Sequence, residues 1–266
     1  MTSDAPVQNT GREFEDPDVA RAYLKRPPYP DALFARLAEL APRRGHVLDL
    51  GCGPGKLARP LADAFTAVTA IDPAAPMIEV GRAADASRHP NIRWLCAPAE
   101  TADLGESADL AVAGASLHWM THGVLFPRLA DALGSDGLIA AVDGDGPSAA
   151  PWLVAHRAFT VAWVERLGFQ FDHPDFRARM VAHESWIDIE GRETFTATHS
   201  MLVADLVEME HSRATWSPTN MGEAKVAAFD RELTELLEPH GDELHRVTFD
   251  VTTRLLWGRP RRTRRT

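Results

Sequence analysis

The sequence predicts an α/β protein in which strands and helices alternate to form one doubly wound sheet. The first sign is an apolar run, 47–50, that stops in a glycine-rich turn and leads into a segment with helical spacing. The second is repetition, because short apolar runs followed by amphipathic stretches continue to about residue 143. The third is length, since 266 residues suit one such domain with added segments.

The glycine turn is the most informative stretch of the chain. Gly51, Gly53 and Gly55 stand at two-residue intervals, and Asp49 lies two positions before the first of them. A strand, a glycine turn and a helix bring backbone amides and a helix N-terminus against a ligand. The dinucleotide-binding pattern needs Gly-x-Gly-x-x-Gly, so a nicotinamide-dependent dehydrogenase is the weaker interpretation.

A second acidic residue lies one helix and one strand further along. Residues 67–71 have the pattern of a strand and are followed by Asp72, whose carboxylate could accept hydrogen bonds from both hydroxyls of a ribose. Together with Asp-x-Gly-x-Gly-x-Gly, this arrangement resembles the class I S-adenosylmethionine-dependent methyltransferases. The resemblance implies S-adenosylmethionine as cofactor and a cofactor-binding core at residues 45–143. It also implies a Rossmann-like doubly wound sheet of seven strands with the last strand antiparallel.

The segment 11–41, before the first strand, is predicted to form helices interrupted by prolines. Its Arg-Pro-Pro-Tyr stretch resembles the Arg-Pro-x-Tyr segment in relatives of trans-aconitate methyltransferase, where N-terminal helices lie over the cofactor. The resemblance implies that Tyr23, Arg26 and Tyr29 form a helical roof and bind substrate. The alternative is that the tyrosines are packing residues and the arginine is a surface charge.

Three residues are predicted to contact the adenine ring. Met77 faces inward on the helix after the second strand and could cover the ring, although a core methionine is the alternative. A segment like the one that contains Ala99 and Glu100 reads the adenine edge in the family, through backbone and carboxylate. For Glu100 the alternative is a carboxylate at a helix start, which the helix dipole favours.

The end of the fourth strand is the second informative stretch. Strand 108–114 runs into Ser116, His118 and Trp119, beside the crevice where a doubly wound sheet reverses its strand order. Many small-molecule methyltransferases carry a His-Trp pair here, so we expect Ser116 at the cofactor and Trp119 as a pocket wall. His118 is predicted to be a base titrating near neutral pH, or to orient an acceptor that is already ionised. A hydrogen-bonded structural histidine is the alternative.

Other classes of site are disfavoured. His118 and His122 are four residues apart, as in some zinc sites, but the pair straddles a predicted strand end and helix start. Trp119 stands where a zinc protease has its glutamate, and no Cys-x-x-Cys occurs. We therefore predict no metal. The Asn/Asp-Pro-Pro-aromatic segment of enzymes that methylate bases is also missing, so a nucleobase is disfavoured as the methyl acceptor.

The second half of the chain is predicted to elaborate a single domain. Residues 144–189 are expected to form a helical cap, inserted between strands five and six, that selects the substrate. An aromatic stripe there, Trp152, Phe159 and Trp163, is typical of core more often than of a ligand wall. Residues 190–258 supply the remaining strands and helices, and 259–266 form a basic tail.

Charge and composition limit the partners. The formal net charge is −10 although five of the last eight residues are arginines, and an acidic body is a poor surface for nucleic acid. The tail is expected to be a solvated, disordered end, and the alternative is a segment that binds nucleic acid or an acidic partner. Residues 1–10 lack a signal-peptide core, and no run approaches 18 apolar residues. With two cysteines, Cys52 and Cys96, expected to be buried thiols, we predict a cytoplasmic protein that does not bind membranes.

The resemblance implies a small-molecule methyltransferase. Methyl transfer is an in-line displacement, and orienting the reactants contributes about 7 to 11 kcal/mol, more than a general base does. Oxygen, as carboxylate or hydroxyl, is the expected acceptor atom. Two alternatives remain open at this point: non-methylating chemistry on the same cofactor, and a non-catalytic binding protein with the same fold. The sequence leaves the identity of the acceptor and the oligomeric state open.

Overall fold

The computed structural model describes residues 12–168 and 174–265, and within them the chain forms one eight-stranded sheet flanked by helices. The strands are β1 (His46–Leu50), β2 (Ala67–Asp72), β3 (Ile92–Cys96), β4 (Leu110–Gly114), β5 (Leu138–Asp143), β6 (Pro147–Ala149), β7 (Ile187–Leu202) and β8 (Arg246–Pro260). The α-helices are α1 (Pro17–Tyr23), α2 (Asp31–Leu40), α3 (Ala58–Ala62), α4 (Ala75–Asp85), α5 (His122–Ala132), α6 (Leu153–Arg166), α7 (Pro174–Val181), α8 (Val203–Glu210), α9 (Pro218–Met221) and α10 (Glu223–Leu237).

The sheet has the predicted doubly wound order. The path is β3-β2-β1-β4-β5-β8-β6, and β7 pairs with β8 off this path. Strands β1 to β5 are parallel to one another, whereas β8 is antiparallel to β5, β6 and β7. The prediction of an antiparallel last strand is therefore confirmed. The strand order reverses between β1 and β4, which places a crevice at their carboxyl ends.

Apolar residues on both faces of the parallel strands explain the layered packing. Val47 of β1 packs in a cluster with residues of α2 and α3, while Leu48 and Leu50 pack in a second cluster with α5. Alternation along a strand directs neighbouring side chains to opposite faces, so β1 is covered by helices on both sides. This burial fixes the end of β1 and the turn after it.

The strands of the second half differ from the prediction at two places, and the division into a cap at 144–189 and a remainder at 190–258 stays a prediction. The sixth predicted strand is longer and becomes β7, and the expected turn region contains the short strand β6. The aromatic stripe is core, because the rings of Phe159 and Trp163 lie 5.1 and 5.4 Å from the ring of Phe229 on α10. Residues 169–173 of the predicted cap lie outside the described residues.

The basic tail contacts neighbouring elements although residues 262–265 are exposed, which corrects the expectation of a disordered end but not that of a solvated one. Arg259 pairs with Glu190, Arg261 with Asp188 and Arg262 with Asp131, and the Arg265 amide donates to the Ser185 carbonyl. The tail extends β8, so its charges find carboxylates on neighbouring elements. Thr266 lies outside the described residues, as do residues 1–10 with their predicted lack of a signal peptide.

Two further observations bear on the composition-based expectations. Cys52 is buried as predicted, but Cys96 is exposed at the end of β3, which corrects the expectation of two buried thiols. Among the helices of the described residues, none combines the length and apolar character needed to cross a bilayer.

Candidate active site

The turn after β1 adopts a backbone that only glycine supports without strain. Gly51, Gly53 and Gly55 have φ values of +66, +52 and +81°. A Cβ at Gly51 would lie 2.5 Å from the Cβ of Ser116, so this position also needs glycine for close approach of β4. At Gly53 the nearest atom would be the Cε1 of Tyr23, 3.9 Å away. The turn is therefore held between β4 and α1.

Asp72 closes the turn from the neighbouring strand. Its Oδ2 accepts the Gly53 amide at 2.9 Å, and its Oδ1 accepts the Ala74 amide at the same distance. Burial raises the pKa of this carboxyl, and the two backbone amides oppose the rise. Each carboxylate oxygen has a second lone pair, so both can accept further hydrogen bonds, and the role of Asp72 in binding ribose hydroxyls stays a prediction.

Asp49 is the least satisfied polar group in the crevice. It is 1% exposed, and neither carboxylate oxygen has a hydrogen-bond partner of normal geometry among the described residues. Burial raises its pKa to about 7, the Asp72 carboxylate adds to the rise, and the Ala58 amide acts against it. A buried carboxylate in this state is suited to a cation. S-adenosylmethionine carries two cationic groups, the sulfonium and the α-ammonium, so the site fits this cofactor.

The end of β4 carries the residues predicted around the methyl group. Ser116 Oγ donates to the Leu50 carbonyl at 2.5 Å and thereby links the ends of β4 and β1. A short 3₁₀ helix, Leu117–Trp119, then presents His118 and Trp119 with ring centroids 4.7 Å apart. Burial lowers the pKa of His118 to about 4, and the nearby Arg179, His183 and His122 side chains contribute to the same shift. His118 is therefore neutral at pH 7, which corrects the expectation of titration near neutrality.

The three predicted adenine contacts have protein partners. Met77 is 2% exposed and packs with Val19 and Ala20 of α1, as expected of a core methionine. The Ala99 carbonyl accepts from Arg128 Nη1 at 2.8 Å, and Glu100 Oε1 accepts the Thr121 amide at 2.6 Å. Glu100 thus accepts a hydrogen bond at the start of α5, which is distant in sequence. This resembles the alternative predicted for Glu100, a carboxylate at a helix start.

Arg26 in the predicted roof is part-buried and is not a surface charge, whereas a role of the roof in binding substrate stays a prediction. The guanidinium of Arg26 lies 4.0 Å over the Tyr23 ring, and its Nε donates to Ser212 Oγ at 2.8 Å. Tyr29 is 3% exposed and belongs to the core cluster beneath α2. The 3₁₀ helix Arg12–Glu15 contributes Phe14, whose ring meets Trp119 edge-on at 5.8 Å. The N-terminal helices therefore lie across the crevice.

Residues 47–137 match a protein family described as methyltransferase domain. This segment contains the glycine turn, Asp49, Asp72 and the His118–Trp119 pair. The chain contains a methyltransferase domain. The resemblance to the class I S-adenosylmethionine-dependent methyltransferases is confirmed for this domain, together with the cofactor that the class uses.

Curated relatives match part of the chain. The chain is 40% identical over 136 residues to trans-aconitate 2-methyltransferase of Paracidovorax citrulli, covering 48% of this chain and 46% of that protein. It is 36% identical over 97 residues to malonyl-(acyl-carrier protein) O-methyltransferase of Acetivibrio thermocellus, covering 35% and 34%. The matches thus span a third to a half of the relatives' lengths.

A solved structure shares the fold of most of the chain. A protein from Anaeromyxobacter dehalogenans, described as a candidate type II methyltransferase, superposes with a TM-score of 0.66 at 23% identity. The superposition covers 88% of this chain and 97% of that one. At this identity the comparison supports the Rossmann-like fold only.

Sequence reasoning missed an ion cluster beside the glycine turn of the methyltransferase domain. Asp145, just after β5, accepts from Arg26 Nη1 at 3.2 Å and from Lys56 Nζ at 3.1 Å. Burial acts against ionisation of Asp145, but the two cations hold its pKa well below the usual range. Burial lowers the pKa of Lys56 to about 8 against the pull of Asp145. The available signal was positional: Lys56 follows the last glycine, and Asp145 follows a strand end.

Two cap residues near Trp119 were also missed. Arg179 on α7 places its guanidinium carbon 5.0 Å from the centre of the Trp119 ring. His183, in the 3₁₀ helix Ala182–Trp186, has its ring 6.4 Å from that of His122. Nothing in the sequence around either residue forms a motif, so only the folded chain shows that they adjoin the site.

The described residues offer no group of three or more His, Cys, Asp or Glu side chains placed to hold a metal ion. His122, the second member of the zinc-like spacing, contacts the Leu117 carbonyl through Nε2 at 2.8 Å. Its ring thus bonds the backbone just before His118.

Proposed function

We propose that this protein transfers the methyl group of S-adenosylmethionine to an oxygen atom of a small-molecule acceptor. The observation that carries the proposal is the buried, unsatisfied carboxylate of Asp49. It lies on the strand that leads into the glycine turn, and Asp72 stands beside that turn. A cationic nucleoside satisfies both acidic residues at once, because one meets a positive group and the other meets ribose hydroxyls.

The reaction needs orientation more than acid–base chemistry. The acceptor oxygen attacks the methyl carbon while the carbon–sulfur bond breaks, and the bonding electron pair stays on sulfur to give the neutral thioether. Holding oxygen, carbon and sulfur in line contributes about 7 to 11 kcal/mol, and positioning is the task of the turn and the roof. The bound cofactor supplies the activated methyl group.

His118 fits an orienting role better than that of a strong base. With a pKa of about 4 the imidazole is neutral but a weak proton acceptor. A neutral imidazole can still donate a hydrogen bond to an acceptor oxygen and hold it in line. An acceptor that is already ionised needs no proton removed, which favours a carboxylate over a hydroxyl.

The relatives support oxygen as the acceptor atom. One is a trans-aconitate 2-methyltransferase and another a malonyl-(acyl-carrier protein) O-methyltransferase. The acidic net charge of −10 is consistent with a small-molecule acceptor and not with nucleic acid. A cytoplasmic location is proposed with the same function, since the cofactor is an intracellular metabolite.

Product analysis with methyl-labelled S-adenosylmethionine tests the proposal. The purified chain is incubated with the labelled cofactor and a panel of carboxylic acids and alcohols. We expect the label on a second small molecule, with one S-adenosylhomocysteine formed per methyl group. An Asp72→Ala variant should lose transfer, whereas an Asp103→Asn variant, at an exposed position, should keep it. Cofactor cleavage without labelled acceptor would instead support non-methylating chemistry, and absence of cofactor binding would support a scaffold.

A further inference from the structure

Strand β7 forms an outer edge of the sheet. Among the described strands, β8 is its pairing partner along the whole length. In an antiparallel pair every second residue directs its backbone N–H and C=O away from the partner strand. Within the described residues, the backbone of 194–200 has one hydrogen bond outside the ladder with β8, in which Arg246 Nη2 donates to the Ser200 carbonyl. The edge of β7 therefore presents unpaired backbone groups.

The two halves of this edge differ in how they are protected against pairing. The first half, 188–193, contains four charged residues, and its register with β8 shifts between Ile189 and Gly191. Charges and bulges prevent an edge strand from pairing with another chain. The second half, 194–202, contains no Asp, Glu, Lys, Arg, Pro or Gly, and its register with β8 is continuous. The second half thus lacks the usual protection of an edge strand.

The side chains of this unprotected half alternate between two faces of the sheet. Thr196, Thr198 and Ser200 are exposed and carry hydroxyl groups. Phe195 and Met201 belong to the opposite face, where they are partly buried against the core clusters. A strand added to this edge would therefore contact a hydroxyl-bearing face and an apolar face.

We propose that 194–202 is a dimer interface, at which β7 pairs antiparallel with β7 of a second copy of this chain. Thr198 is the central residue of the segment, so a twofold axis at Thr198 lets the whole uncharged segment pair with itself. The two sheets then continue into each other through the new strand pair. This inference is independent of the proposed function.

The segment is complementary to itself in this register. The twofold axis places Phe195 of one chain opposite Met201 of the other, and Thr196 opposite Ser200, and each pair occurs twice. Aromatic–apolar pairs and hydroxyl pairs are favourable neighbours across strands. A displaced axis would bring either the charged residues of 188–193 or the first turn of α8 beside the partner strand. The composition of β7 therefore selects the register centred on Thr198.

Net charge also favours this segment as the contact between two copies. The chain carries a formal charge of −10, so two copies repel each other over most of their surfaces. The segment 194–202 contributes no carboxylate. The Asp250 carboxylate on β8 accepts the Thr198 hydroxyl at 2.7 Å and so has a polar partner within its own chain.

Sedimentation velocity of the purified full chain over a range of concentrations tests the inference. We expect a concentration-dependent species with twice the mass of one chain. A parent protein that stays monomeric at every concentration would overturn the inference and leave the proposed function unaffected.

Charge substitutions at the twofold axis test the register. Thr198→Asp places two carboxylates opposite each other and should shift the parent dimer to monomer. An equimolar mixture of Thr198→Asp and Thr198→Lys should form a mixed dimer, because opposite charges then meet at the axis. Thr248→Asp, on the exposed face of β8 opposite Ser200, is the matched control and should remain dimeric. A dimeric Thr198→Asp, or a mixture that stays monomeric, would contradict the pairing.

Hydrogen–deuterium exchange of the parent protein gives a readout that needs no variant to fold. Amides of 194–202 should exchange more slowly at concentrations where the dimer forms than at concentrations where it dissociates. The exposed stretch 242–245 should exchange equally in both conditions. A dimer in which exchange of 194–202 is unchanged would overturn the inference.

Discussion

Asp49 connects a burial cost to the identity of the ligand. A buried carboxylate whose oxygens lack a hydrogen-bond partner of normal geometry is unfavourable when ionised, and burial accordingly raises the pKa of Asp49 to about 7. A cation placed beside it favours the ionised form, so the cofactor relieves a penalty that the free protein carries. The raised pKa also means that Asp49 lowers folding stability as pH rises from about 4 to 7.

The affinity for S-adenosylmethionine should therefore increase with pH. Because binding favours the ionised form of Asp49, the dissociation constant should fall about tenfold between pH 6 and pH 8 and level off above. Titration calorimetry between pH 6 and pH 8 measures this dissociation constant. An Asp49→Asn variant should bind more weakly and lose the pH dependence. The same slope in variant and parent would assign the titration to another group.

The low pKa of His118 predicts how this residue contributes to turnover. Replacing His118 with alanine should lower kcat by about tenfold to a hundredfold through lost orientation, with the cofactor dissociation constant within about twofold of the parent. In the parent, kcat should not respond to His118 ionisation between pH 6 and 8, since the group stays neutral. Steady-state kinetics of the parent and of His118→Ala measures kcat, and His240→Ala, which changes an exposed histidine, is the control. Equal turnover in His118→Ala and in the parent would contradict an orienting role for His118.

The lowered pKa of His118 also affects folding stability in acid. Because the folded pKa lies below that of the unfolded chain, the unfolded state binds more protons between about pH 4 and 6.5. His118 therefore lowers folding stability as pH falls through this window, and its contribution is absent above it.

At the scale of elements, the glycine turn is shaped by its protein neighbours as much as by a ligand. Gly51 combines a φ of +66° with an approach of 2.5 Å between an added Cβ and that of Ser116. Gly134 has a similar φ of +64° but nothing within 4 Å of an added Cβ. Comparing substitutions at the two positions therefore separates the cost of backbone strain from the cost of steric overlap with Ser116.

Gly51→Ala should destabilise the fold more than Gly134→Ala. The strain of a left-handed alanine is about 1 kcal/mol at both positions, and overpacking against Ser116 adds about 1 to 3 kcal/mol at Gly51 only. Denaturant unfolding of both variants gives the difference. Equal losses would mean that β4 moves aside freely and does not hold the turn.

The roof is fastened to the rest of the domain by the Arg26–Asp145–Lys56 cluster. Asp145 is the shared carboxylate, and its side chain is 13% exposed. Removing its charge leaves two buried cations without their partner, which costs far more than breaking a surface pair. The depressed pKa of Asp145 means that its stabilisation is present at neutral pH and is lost as pH falls below about 4.

Asp145→Asn should lower the free energy of unfolding by about 3 kcal/mol. The matched control is Asp103→Asn, which breaks an ion pair with Arg93 at a carboxylate that is 75% exposed and should have a much smaller effect. Chemical denaturation at pH 7 measures both. If the two variants lose similar stability, the cluster does not hold the roof.

At the scale of the molecule, local patterns predicted the sheet and the cofactor motif. The strand that ends at Leu50 and the carboxylate of Asp72 were predictable because apolar runs, glycines and strand ends are local signals. Lys56–Asp145 and Arg179–Trp119 join positions 89 and 60 residues apart, and no local pattern encodes such contacts. The docked tail was mispredicted for the same reason, since its partner carboxylates lie on distant elements.

We propose that the cationic nucleoside binds between the N-terminal helices and the segment 144–189. A crystal structure with S-adenosylhomocysteine tests this arrangement most directly. We predict the ribose hydroxyls on Asp72, the α-ammonium near Asp49, and the sulfur directed towards His118 and Trp119. A nucleoside bound elsewhere, or a glycine turn still covered by Tyr23 with the ligand excluded, would contradict the account.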